Sequence, residues 1–267
     1  KDPNELKIAK PAITPIFMNR DTSSAFLREI QASVVAPIEP VFVDFEKDMS
    51  ILTAKSNIPV LYKQNTTNDI FTLIYQFDMG NNEDKCLGTA TQYLDYLGTS
   101  TMTPEQIKTA FYGLACSYGV YTSAEKTQLV VSGLGENMKE AITLVESLLA
   151  DAQANPAALQ GLKADILKRR QNNKLNQSAN FSQLRAYNTY GPNSPSTNHL
   201  SNNEIKGLKD NALLDRIHAL NSYEHEILYY GPMTQEEIVA TIAELHNVPE
   251  KLTPVVKNDS FKERKIT

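Results

Sequence analysis

Apolar residues recur along this chain with two different periods, and the switches between them outline the fold. Up to about residue 36 neither period holds. Pro3, Pro11 and Pro15 interrupt the segment, and one helical turn is expected at 23–32 behind the cap signal Asp21-Thr22-Ser23. Three strand-like runs follow, at 41–45, 58–62 and 70–79, rich in β-branched and aromatic side chains. The Asn-rich stretch 64–69 predicts a hairpin loop between the last two.

The spacing then turns helical. Ala90, Tyr93, Leu94 and Leu97 share one face, with a stop at Gly98. Thr103-Pro104-Glu105-Gln106 combines a Thr cap, a Pro at the first helical position and a Gln three residues after the cap. That helix should carry Ile107, Ala110, Phe111, Leu114 and Cys116 and end before Gly119. Strands are expected at 120–123 and 127–132, then helices at 136–152 and 159–176. The second of these is apolar at Leu162, Ile166 and Leu175 and basic at Lys168-Arg169-Arg170. A polar loop at 191–198 leads to helix 212–220, strand 226–230 and helix 234–245, which Thr234 and Glu237 can open as a capping box. Strands interleaved with grouped helices predict an α+β fold, a mixed and mainly antiparallel sheet with helices packed on one face. The expected division is a lead-in at 1–36, one domain at 37–248 and a C-terminal linker at 249–267.

Composition narrows the class. The chain has 267 residues, 41% of them hydrophobic, enough for a sizeable core. With 31 acidic against 26 basic residues the net charge is −5, which argues against nucleic acid as a partner, since phosphate binding needs clustered excess cations. No apolar stretch approaches the length of a membrane span. Cys86 and Cys116 are too few for a disulfide scaffold and can pair or stay free. The first residue is Lys1, so the chain is expected to be a processed form or a piece of something longer.

Local chemistry is sparse. His199, His218, His225 and His246 are never three or four residues apart, so no two-His ligand pair fits one helix turn. In Glu224-His225-Glu226, strand geometry sends alternate side chains to opposite faces, and a surface or satisfied edge histidine is expected. No nucleophile elbow appears, and Cys116 reads as a buried, inert thiol. Gly133 and Gly135 lack the Lys-Ser/Thr of a phosphate loop and suit a tight strand–helix turn. Lys168-Arg169-Arg170 reads as a solvated helix face, with contact to an acidic partner as the functional alternative.

One segment goes further. Gly88-Thr89-Ala90-Thr91-Gln92-Tyr93-Leu94-Asp95, followed by Gly98-Thr99, resembles the G-x-A-H-x-x-E-H…G-T signature of the pitrilysin (insulinase) family of zinc metallopeptidases. The succeeding order also matches: the Thr103 helix, the strand at Val120, helix 136–152, and the closing Ile227-Leu228-Tyr229-Tyr230-Gly231-Pro232. The resemblance runs from about residue 60 to 246. In the motif, two histidines one turn apart bind zinc and the glutamate is the general base. Here those positions are Thr91, Leu94 and Asp95, a degenerate set, and the segment that would supply the third ligand, 167–174, has no carboxylate.

The resemblance implies the first domain of the family's non-catalytic second half, a layered, ferredoxin-like α+β domain. Such domains wall a substrate chamber and bind peptide while the other half cleaves it. It implies no cofactor in this chain and zinc in the catalytic half of the parent. The implied partners are that half, in the same polypeptide or as a separate subunit, and peptide substrates. A bacterial periplasmic or envelope setting is implied in the same way. The alternative is a catalytically dead scaffolding subunit of the same fold; in either case this chain is expected to be inactive while the parent is a zinc endopeptidase.

Overall fold

In the computed structural model, residues 12–16 and 22–264 are described, and they fall into two units divided between Val43 and Asp44. Much of the expected lead-in, 1–11 and 17–21 with Pro3, Pro11 and Asp21, lies outside the described residues. In the first unit helix α1 (Ala25–Ala32) forms where the cap signal places it, with Ser24 Oγ accepting from the Leu27 amide at 3.1 Å.

The second unit is built on one sheet whose spatial order departs from the chain order. Its strands are β1 (Ser50–Thr53), β2 (Pro59–Gln64), β3 (Ile70–Phe77), β4 (Cys116–Thr122), β5 (Thr127–Leu134) and β6 (His225–Gly231), arranged β1-β2-β6-β3-β5-β4. Every neighbouring pair is antiparallel except β2 with β6. The α+β expectation therefore holds, with two local corrections. No strand forms at 41–45. Asp44 instead accepts from the Glu46 amide and caps a single turn, α2 (Phe45–Asp48), and the first strand lies beyond it. Nor do β2 and β3 make a hairpin, because β6 enters between them. Neighbouring strands lie about 4.8 Å apart, so the 65–69 connection must cross about twice that distance. Asn65 organises it: its amide donates to Gly231 O on β6, and its side chain donates to Ile70 O and accepts from the Thr67 amide.

Alternation along the strands buries one face. Phe71, Leu73, Tyr75 and Phe77 of β3, Leu129 and Val131 of β5, and Ile227 and Tyr229 of β6 form the floor of the core. Above it lie α3 (Leu87–Leu94), α4 (Pro104–Gly113), α5 (Met138–Asp151), α6 (Pro156–Asn173), α9 (Asp210–Ala219) and α10 (Gln235–Leu245). The capping boxes expected at Thr103 and Thr234 are both formed. Gly98 ends the turn after α3, where a Cβ would stand 2.3 Å from Met102 O, closer than any side chain tolerates.

Two further corrections concern helix ends. Cys116 is not on α4. That helix stops at Gly113, Ala115 adopts φ 49°, and Cys116 opens β4 opposite Gly133, still buried and free as a thiol. The helix expected at 159–176 breaks before Asn176, which caps a separate helix, α7 (Gln177–Tyr190); Leu175 is 89% exposed rather than on a buried stripe. A short helix, α8 (Asn202–Gly207), follows under a Ser201/Glu204 capping box. The segment expected as a C-terminal linker runs along the unit: Thr253 bridges Tyr223, and Asn258 Nδ2 donates to Asn82 O at 2.8 Å. Its residues 265–267 lie outside the described residues.

Candidate functional site at the motif helix

Helix α3 carries the three motif positions, and the structure sends them to three different surroundings. Thr91 is buried at the end of β4: its hydroxyl pairs with Thr122 Oγ1 at 3.0 Å and reaches Gly88 O at 3.3 Å. Leu94 is 1% exposed and belongs to the apolar core. Asp95 sits past the last helical residue, at the surface, with desolvation pushing its carboxyl up and Lys108 opposing that shift. A hydroxyl already engaged with protein oxygens, a leucine and one exposed carboxylate do not form a zinc ligand set. The residues at these positions do not fit the metal.

Helix α6 packs beside α3. It buries Leu159, Leu162, Lys163 and Ile166, exposes Asp165, Lys168 and Arg169, and leaves Arg170 half-buried. Arg169 Nη2 donates to Gln92 Oε1 of α3 at 3.0 Å, and Arg170 Nη1 donates to Asn202 Oδ1 at 2.8 Å. Both acceptors are neutral amides, so the guanidinium charges are oriented but not neutralised. Other cations of the protein are paired. Arg216 Nε lies 2.6 Å from Asp84 Oδ2, and Lys85 Nζ lies 2.9 Å from Glu204 Oε1, a contact that holds the Glu204 carboxyl down at about 2.

Between α3 and α6 opens a cleft of about 410 Å³, floored by Ile166, Leu200 and Ile205 and walled by Lys85, Arg169, Arg170 and His199. No Asp or Glu lines it. The basic run was legible in the sequence; its meeting with Lys85 and His199 was not, because those residues come from distant parts of the chain.

Histidine and carboxylate do converge, but elsewhere and in the interior. His225, His246 and Glu146 are all buried at the start of β6, after α10 and on α5. His225 Nδ1 donates to Tyr223 O at 2.7 Å, since a carbonyl only accepts. Burial lowers the His225 pKa to about 4, so its ring is neutral and Nε2 is left as an acceptor. His246 Nε2 then donates to it at 2.9 Å, and His246 Nδ1 lies 2.7 Å from Glu146 Oε1. Glu146 Oε2 accepts from Asn221 Nδ2 and the Asn247 amide, as a carboxylate would. The ring nitrogens of both histidines and the Glu146 oxygens are turned onto protein partners, not toward a common point, and among the described residues no group of three His, Cys, Asp or Glu is arranged to hold a metal ion. His225 is thus satisfied, as expected, but in the core and not at a surface. His218 and His199 bond to backbone carbonyls, Ala152 O and Ser196 O.

No family profile matches the chain, and no curated protein sequence matches it either. Solved structures do. The chain is similar to the crystallised inactive domain of an M16 peptidase from Pseudomonas fluorescens, at 18% identity and TM-score 0.64, over 74% of this chain and 50% of that one. It is similar to the periplasmic protease PqqL from Escherichia coli at 15% identity and TM-score 0.69, over 96% and 28%. A mutant of the ferredoxin protease FusC, solved with Arabidopsis ferredoxin, matches at 13% identity and TM-score 0.65, over 89% and 29%. This chain spans half the length of these structures or less. Among the described residues no helix is long and apolar enough to cross a membrane.

Proposed function

Starting from a chain with the pitrilysin-like fold of an M16 inactive domain, we propose that it is the non-catalytic domain of a zinc metallopeptidase, walling the substrate chamber and holding peptide while a catalytic half cleaves it. The observation that carries the reading is the state of the motif helix: the fold keeps α3 against α6, yet Leu94 is sealed in the core at the motif's general-base position, and the Thr91 hydroxyl is spent on Thr122 and Gly88. A leucine has no proton to move, and a threonine hydroxyl already bonded to protein oxygens is a poor zinc ligand. The chain is therefore assigned no catalytic residue and no cofactor, and the zinc belongs to the partner half. Similarity to a periplasmic protease supports a periplasmic setting for the parent.

The test compares chelator-sensitive cleavage of a fluorogenic peptide library by the complete gene product and by this chain alone. Turnover is expected from the first and none from the second. Chelator-sensitive turnover by the isolated chain would contradict the reading.

A further inference from the structure

We infer that the cleft between α3 and α6 is a binding site for an acidic peptide segment, with Arg169 and Arg170 taking its carboxylates. The inference rests on the peptide-holding reading above and adds to it a place and a charge preference.

The charge pattern is the first argument. Acidic residues outnumber basic ones in this chain, yet none lines the cleft. Lys85 at its edge is paired with Glu204, so the field of the cleft comes from Arg169 and Arg170, and a wall of one sign draws the opposite charge in. Each guanidinium is held by a neutral amide, so a bound anion supplies the counter-charge that the protein does not.

Donor geometry is the second. Each arginine commits one terminal nitrogen to a neutral amide, Arg169 Nη2 to Gln92 and Arg170 Nη1 to Asn202, which fixes its direction and leaves its other donors for a ligand. A planar guanidinium matches a carboxylate in a two-bond fork, and prior orientation lowers the entropy lost on binding.

The floor supplies the third argument. Ile166, Leu200 and Ile205 offer an apolar base under the cationic walls, which suits side chains of both kinds on one extended ligand and gives a lone phosphate nothing to contact. A cleft of about 410 Å³ falls within the usual size of ligand sites and admits a segment of a few residues.

The experiment measures fluorescence anisotropy of a labelled peptide alternating Glu and Leu, titrated with the full 267-residue chain at low and high salt. A Lys–Leu peptide and inorganic phosphate as competitor run beside it. The Glu–Leu peptide should bind, weaken with salt, and resist displacement by phosphate, while the Lys–Leu peptide should not bind. Arg169→Gln with Arg170→Gln should weaken binding about tenfold or more, and Lys108→Gln, outside the cleft, should leave it unchanged. Circular dichroism checks that the variants are folded. Binding of the acidic peptide that survives the double substitution overturns the cleft but leaves a peptide-holding domain. Equal binding of both peptides overturns the charge preference, and displacement by phosphate overturns the peptide as ligand. If neither peptide binds, the site is overturned, and cleavage by the complete gene product then decides the broader reading separately.

Discussion

Polar chemistry gathers in two regions of this protein, and they are built on opposite terms. At the Glu146–His246–His225 cluster, side chains that look catalytic are buried and turned onto one another, holding α5, β6 and the exit of α10 together. In the cleft beside α3, Arg169 and Arg170, side chains with no catalytic look, are held by neutral amides rather than by counter-charges. The inward cluster turns its polar groups onto the fold, whereas the cleft leaves two arginines without a carboxylate partner. Residue type alone would have ranked the two the other way round.

The comparison breaks most sharply if Glu146 is removed. Glu146→Ala strands the His246 ring and the Asn221 side-chain donor in the core, so urea denaturation should show a loss of about 3–5 kcal/mol. Leu94→Ala comes next. This position is sealed in the core, and a loss of about 2–5 kcal/mol is expected in the same assay; a change within error would mean the motif helix faces solvent there.

Acid should act on the cluster as well. The folded His225 has its pKa lowered to about 4 by burial, against 6.5 for the free side chain, with His246 opposing and Glu146 favouring protonation. Because the folded value is the lower one, the stabilisation is complete above pH 6.5 and is lost as pH falls from there toward 4. The loss should reach about 3 kcal/mol, and His225→Gln should flatten that part of the stability–pH curve. The smallest stability effect belongs to the cleft: Arg169→Gln with Arg170→Gln should shift the unfolding midpoint by no more than about 0.5 kcal/mol, as for exposed positions. A larger loss would make these arginines part of the fold.

Much of this contrast was open to a reader of the sequence, though not all of it. Residues 225, 227 and 229 alternate onto one face of β6, so the buried Ile227 and Tyr229 place His225 inward as well. Glu146 stands four residues after Ile142 on the buried stripe of α5, another signal in plain sight. That they meet, and that His246 joins them, depends on contacts between residues up to a hundred positions apart, which no local period encodes. The same limit explains the sheet. Each strand except β1 lay close to an expected run, but the insertion of β6 between β2 and β3 is a property of pairing and not of either strand. Helix α7 escaped notice because none of its residues is buried, so it carries no apolar stripe packed on a core.

The central claim is that this domain holds peptide by charge and without metal. The measurement that tests it most directly is binding of the labelled Glu–Leu peptide with added zinc and with excess chelator, the peptide being recovered afterwards for mass spectrometry. The account predicts the same affinity in both conditions and an intact peptide in both. Binding that requires zinc, or a peptide cut only when zinc is present, would contradict it.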